Sequence, residues 1–170
     1  PATDAVTGHA AYFSKYDIVR DDYRTVMASC ALLGFCRPVK VGDRYYYDGG
    51  VADSIPLHHA IEQGCTKMVV ILSNPRNFVK KPEAHRPLYK HMLHKYPKTI
   101  QSIDNRHINY QASIDLACRL EKEGYVFIFA PSRHMPLSTF SKDAALEQDL
   151  YDLGVADYEA RAEELKHFLN

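Results

Sequence analysis

The run Arg44, Tyr45, Tyr46, Tyr47, Asp48, Gly49, Gly50, Val51 constrains this chain more than any other, because it ends a strand on a carboxylate followed at once by two glycines. Three consecutive tyrosines favour extended backbone, and Asp-Gly-Gly stops it. Two residues without side chains let another backbone or a substrate approach the carboxylate, and they make positive φ accessible. Such a turn can display an active-site aspartate. It suits equally well a hairpin, or an aspartate capping a helix that begins near Pro56.

Around this turn the pattern alternates between strands and helices. A strand over 9–14 precedes a helix capped by Asp21, whose apolar positions Tyr23, Val26, Cys30 and Leu33 keep helical spacing until Gly34. Strands over 35–41 and 44–47 meet at Gly42 and Asp43, and Pro56 opens a helix to Gln63 with Gly64 as its carboxyl-terminal cap. The segment 68–72 is apolar without alternation, which suits a parallel strand covered on both faces and joined to the tyrosine strand by a crossover helix. Pro97 starts a long helix to Glu123 with Ile100, Ile103, His107, Tyr110, Ile114, Ala117 and Leu120 on one stripe. A second apolar strand over 125–130 follows, and two amphipathic helices, 144–153 and 157–169, close the chain. No repeat or low-complexity linker marks a boundary, so 1–170 reads as part of one domain with a helical extension from about 143.

Composition narrows the function classes. With 46% hydrophobic residues the chain can bury a core, and 21 basic residues against 21 acidic ones leave no positive excess for nucleic acid. Cys30, Cys36, Cys65 and Cys118 form no Cys-x-x-Cys pair and read as free thiols of a reducing compartment. No apolar run approaches the roughly 20 residues needed to span a bilayer. Between 76 and 98, however, seven lysines and arginines stand against Glu83 alone. A basic amphipathic helix over about 86–96, carrying Leu88, Tyr89, Met92, Leu93 and Tyr96, is expected either to touch an anionic lipid surface or to pack on the sheet with its charges solvated. His91 and His94 share a helical face without a third ligand in sequence, so no metal is expected. His107 reads as a hydrogen-bonded core residue, and Asp53, beside Ser54 and Pro56, as a helix cap.

Ala28-Ser29-Cys30-Ala31, Phe35-Cys36-Arg37-Pro38-Val39 and Tyr46 to Leu57 together closely resemble the second half of bacterial patatin-like phospholipases. The likeness takes in Thr3, Asp4, Thr7 and Gly8 upstream and the strand 68–72 downstream. It continues more loosely through Asn105-Arg106-His107, Tyr110 and the segment 120–124, with Leu33 where those proteins commonly carry a proline. The resemblance implies a three-layer α/β/α sandwich, of the patatin and acyl-carrier transacylase type, represented here by its carboxyl-terminal portion. It implies that Asp48 is one member of a catalytic Ser-Asp dyad, with Gly49 and Gly50 supplying the backbone of the motif.

That family's glycine-rich oxyanion loop and Gly-x-Ser-x-Gly nucleophile elbow normally precede the aspartate, and neither occurs in this chain. None of the nine serines has a glycine two residues away on each side. The expectation is a portion of a serine acyl hydrolase acting on lipid or acyl esters, inactive alone, its serine outside this chain, with no cofactor. A cytoplasmic location, with or without peripheral membrane contact, and association with the missing amino-terminal half or a second copy complete it. A non-catalytic pseudoenzyme or interaction module with the same fold is the alternative. The hydrolase reading fails if Asp48 points into solvent or merely closes a bend far from any concave pocket.

Overall fold

The computed structural model describes residues 1–84, 86–136 and 143–170, which leaves Ser138 and Ser141 outside the described residues. In chain order its elements are β1 (Ala2–Asp4), β2 (Ala10–Ala11), α1 (Arg24–Ser29), β3 (Val39–Val41), β4 (Arg44–Asp48), a 3-10 turn (Gly49–Val51), α2 (Leu57–Glu62), β5 (Met68–Ile71), α3 (Arg86–Met92), α4 (Pro97–Lys122), β6 (Val126–Phe129) and α5 (Ala144–Leu169). They divide into two compact units, one made of 1–56 with 80–113 and the other of 57–79 with 114–170. The architecture is mixed α/β.

The first unit is built on a four-stranded antiparallel sheet in the order β2-β1-β4-β3. Because successive strand residues face opposite sides, Tyr46 and Tyr47 serve two different cores. Tyr46 packs with Ala2 and with Ala28 of α1, bordered by Phe13, Val39 and Val41. Tyr47 packs with Ala5, Val51, Leu93 and, from α4, Ile100 and Ile103. Helices thus cover both faces of β4. Thr99, wholly buried on α4, donates its hydroxyl to the carbonyl of Ala5 at 2.7 Å and pins the loop after β1 to that helix. Gly8 sits in the same loop at φ 72°, where a Cβ would lie 2.5 Å from the Lys98 carbonyl oxygen.

In the second unit β5 and β6 form a parallel pair, with Met68 opposite Val126 and Ile71 opposite Phe129. Val126, Phe127 and Ile128 are buried. The backbone of Ile128 is closed by side chains: Glu121 accepts from its N–H, while Arg76 and Arg161 donate to its carbonyl. Arg161 also lies over the Phe127 ring at 4.4 Å, so its charge faces an aromatic surface.

Several expectations need correction. The expected strand over 9–14 is confined to Ala10–Ala11, since it pairs only with β1. Asp21 does not cap α1; it takes φ 64°, and the Asp22 carboxylate accepts from the Arg24 N–H instead. The helix stops at Ser29 rather than Leu33: the Ala31 N–H turns to the Ala28 carbonyl, three residues back, instead of continuing the helical ladder, and the Ala31 carbonyl accepts from the N–H of Asp48 at 3.0 Å. The strand expected over 35–41 begins only at Val39, beyond Pro38, whose nitrogen has no proton for a ladder. The tyrosine strand has antiparallel neighbours on both sides, and the parallel partner of β5 is β6. The basic helix ends at Met92. The two closing helices are one, α5, running through Gly154 and capped by Asp143.

Candidate active site

Asp48 is held at the end of β4 by main-chain contacts on both sides. Its N–H reaches Ala31, and its carbonyl accepts a 2.7 Å bond from the hydroxyl of Thr3, which is wholly buried on β1. The same hydroxyl accepts from the Ala52 N–H at 3.2 Å, tying β1 to the far end of the turn. The carboxylate turns back on its own chain: Oδ1 accepts from the Gly50 N–H at 2.7 Å and caps the 3-10 turn. Oδ2 has no donor among the described residues.

Each glycine has its own reason. At Gly49 a Cβ would stand 2.3 Å from the carbonyl oxygen of Pro1, because β1 runs alongside with Ala2 opposite Asp48. At Gly50 a Cβ would fall 3.0 Å from Asp48 Oδ1 and 3.4 Å from Nη2 of Arg106. A carboxylate and a guanidinium therefore converge on the open side of Gly50. Arg106 donates from Nε to the Gly50 carbonyl at 2.6 Å, and the Ser54 hydroxyl joins it there at 2.7 Å. Glu83 holds the other side of the guanidinium at 2.9 Å and stands 3.6 Å from Lys80. Burial, followed by repulsion from Arg106, lowers the Lys80 pKa.

Arg106 is the residue that sequence reasoning passed over. It falls in the looser part of the resemblance, and an arginine between Ile103 and Tyr110 on a mostly apolar stripe was the signal available. Asp53, expected as a helix cap, instead accepts a 2.5 Å bond from the Tyr12 hydroxyl. The expected hydrogen bond of His107 is missing at Nδ1, which is buried without a partner among the described residues. His91 and His94 lie with ring centroids 6.5 Å apart, and no cluster of three metal-ligating side chains occurs among the described residues. No helix of the described residues is long and apolar enough to cross a membrane.

A cleft of about 610 Å³ runs beside the turn, between the loop 6–10 and the polar face of α4. Lys98, Gln101, Ser102, Asn105 and Asn109 line it at helical intervals, and Ala52 closes it next to the Asp48 turn. Asp48 does not line this cleft, nor the two clefts of about 300 and 520 Å³ in the second unit. The carboxylate thus closes a bend whose far side borders a polar groove. The site's groups can orient one carboxylate rigidly, keep a cation near it and leave one oxygen for an incoming donor.

Residues 11–61, which include this turn, match the family model described as patatin-like phospholipase. Residues 96–170, all of α4 through α5, match a model described as a domain of unknown function, DUF6363. No curated protein matches the chain. The first match connects the segment with the lipid acyl hydrolases.

Proposed function

We propose that this chain is the aspartate-bearing, carboxyl-terminal part of a patatin-like serine acyl hydrolase, with Asp48 as the base of a Ser-Asp dyad whose serine is supplied by polypeptide preceding Pro1. The observation that carries this reading is the Asp48-Gly49-Gly50 turn itself, inside the matched segment, with one carboxylate oxygen fixed by a backbone N–H and the other without a donor among the described residues. The serine hydroxyl would donate to Oδ2 and lose its proton to Asp48 as its oxygen attacks the acyl carbonyl. Collapse of the tetrahedral adduct expels the alcohol, which takes up that proton, and leaves an acyl-serine. Water then repeats the sequence with the same carboxylate as base. A carboxylate is a weak base against an alcohol, so the scheme depends on strong stabilisation of the oxyanion as charge develops. The substrate is a lipid or other acyl ester, and the three-layer sandwich is the fold in which both halves of the dyad would meet.

One observation favours a non-catalytic module instead. Asp48 already has a structural task, capping the turn, and it lines none of the three clefts. The two readings separate in one experiment. Co-expressed in a single chain with the segment encoded before Pro1, the protein is expected to react with a serine-directed fluorophosphonate and to hydrolyse a soluble short-chain ester. Asp48→Asn should lower kcat by about 10³-fold with the fold intact by circular dichroism. Turnover that survives the substitution, or a preceding segment with no Gly-x-Ser-x-Gly, sinks the hydrolase reading.

A further inference from the structure

In α3 the apolar side chains divide between inside and outside. Tyr89 turns inward, its hydroxyl bonded to Asp104 at 2.6 Å, and Leu93 just beyond the helix is only 3% exposed. Leu88 and Met92, one turn apart on the other side, are 60% and 48% exposed. Burial against the sheet therefore accounts for one apolar side of this segment and not for the other. The exposed ridge continues beyond the helix: a Cβ on Gly34 would stand 4.0 Å from the Met92 methyl, and the next residue, Phe35, is 71% exposed.

Charge surrounds this ridge unevenly. Arg86 is neutralised by Asp104 at 2.6 Å and Lys80 by Glu83 at 3.6 Å. Lys90 lies on the side of α3 away from Leu88 and Met92 and acts on Asp104, whereas Lys95, three residues beyond Met92, and Arg37, two residues beyond Phe35, are exposed and form no ion pair among the described residues. An apolar ridge rimmed by cations without paired acids is complementary to a surface that is negative outside and hydrocarbon beneath.

We infer that Leu88, Met92 and Phe35, with Lys95 and Arg37 beside them, form a docking surface for an anionic lipid bilayer. The apolar side chains enter the headgroup boundary while the charged ends of Lys95 and Arg37 stay at the phosphate level, as long basic side chains do at an interface. The inference extends the acyl-hydrolase reading by giving the protein a place on its substrate's surface, yet binding is measured without turnover.

The test is flotation of the chain with vesicles of phosphatidylglycerol and phosphatidylcholine, against vesicles of phosphatidylcholine alone. Preferential binding to the anionic vesicles, weakening as salt is raised, is expected. Lys95→Glu with Arg37→Glu should weaken it by about fivefold or more for each cation. Leu88→Asp with Met92→Asp should weaken it on the order of tenfold or more, with melting temperature close to that of the parent because both side chains are exposed. Equal binding to both vesicle types, or binding that the Asp variants leave unchanged, overturns the inference. Vesicle binding lost with the soluble esterase intact refutes the docking surface alone. Esterase activity indifferent to Asp48→Asn with vesicle binding intact refutes the dyad alone.

Discussion

A Cβ on Gly49 meets backbone, whereas a Cβ on Gly50 meets side chains. The first would lie 2.3 Å from the Pro1 carbonyl oxygen, which the Ser29 hydroxyl holds in place with a 2.7 Å bond. Neither group can yield without moving β1 off β4. Gly49→Ala is therefore expected to destabilise the fold by about 2 kcal/mol or more, read as a fall in the urea midpoint. Unaltered stability would mean that β1 is not seated as described. Gly50→Ala presses instead on Asp48 Oδ1 and Arg106, so its effect belongs to the carboxylate's position. Asp-Gly-Gly was legible as a displayed aspartate, but the different duties of its glycines were not. One duty comes from a strand about 45 positions away, and the other from Arg106 on α4.

Among the elements, α5 departs most from its sequence pattern. Gly154 reads as a break between two amphipathic helices, yet the backbone passes through it in helical conformation and nothing stands within 4 Å of a Cβ placed there. Glycine costs a helix interior about 0.5–1 kcal/mol relative to alanine. Gly154→Ala should accordingly stabilise the protein by about that amount, measured by chemical denaturation. If Gly154 ended one helix and preceded another, the same change would destabilise. The long stripe of α4 was, by contrast, legible in its main positions: Ile100, Ile103, Ile114 and Ala117 are buried where the spacing put them, and His107, Tyr110 and Leu120 are half-buried. Both helices run 26 residues, so the difference lies in the consistency of the spacing: an uninterrupted stripe outvotes a single residue, whereas one glycine in a weakly amphipathic helix leaves the pattern ambiguous.

For the molecule as a whole, paired carboxylates and buried phenols set the pH limits of stability. Hydrogen bonds from Arg86 and then Tyr89 hold Asp104 down at about 2, and the bond from Arg76 lowers Glu121. Burial pulls Asp4 upward, but bonds from Thr7, Arg44 and Val6 outweigh it and leave its pKa lowered. Each of these groups binds its proton less tightly folded than unfolded. Their stabilisation is present above the ordinary carboxylate range near 4 and is lost as the pH falls towards about 2. Burial, and after it the bond to Asp104, pushes Tyr89 up to about 12, so its contribution is complete below about 10 and disappears as the pH rises through about 12. Urea midpoints taken across pH should form a plateau with both limbs falling. Asp104→Asn should flatten the acid limb, and an unchanged profile would remove this ion pair from the account. Sequence alone determined the local grammar of this protein: tyrosines that make a strand, a carboxylate and two glycines that end it, apolar stripes that become buried faces, and a basic segment with apolar residues among its charges. Tertiary structure alone decided which strands are neighbours, that both compact units interleave distant segments, that Arg106 stands at the Asp48 turn, and that Leu88 faces outward while Tyr89 faces inward. Local pattern is written in the spacing of nearby residues. Pairing and proximity depend on contacts between residues dozens of positions apart, and spacing says nothing about those until the chain has folded.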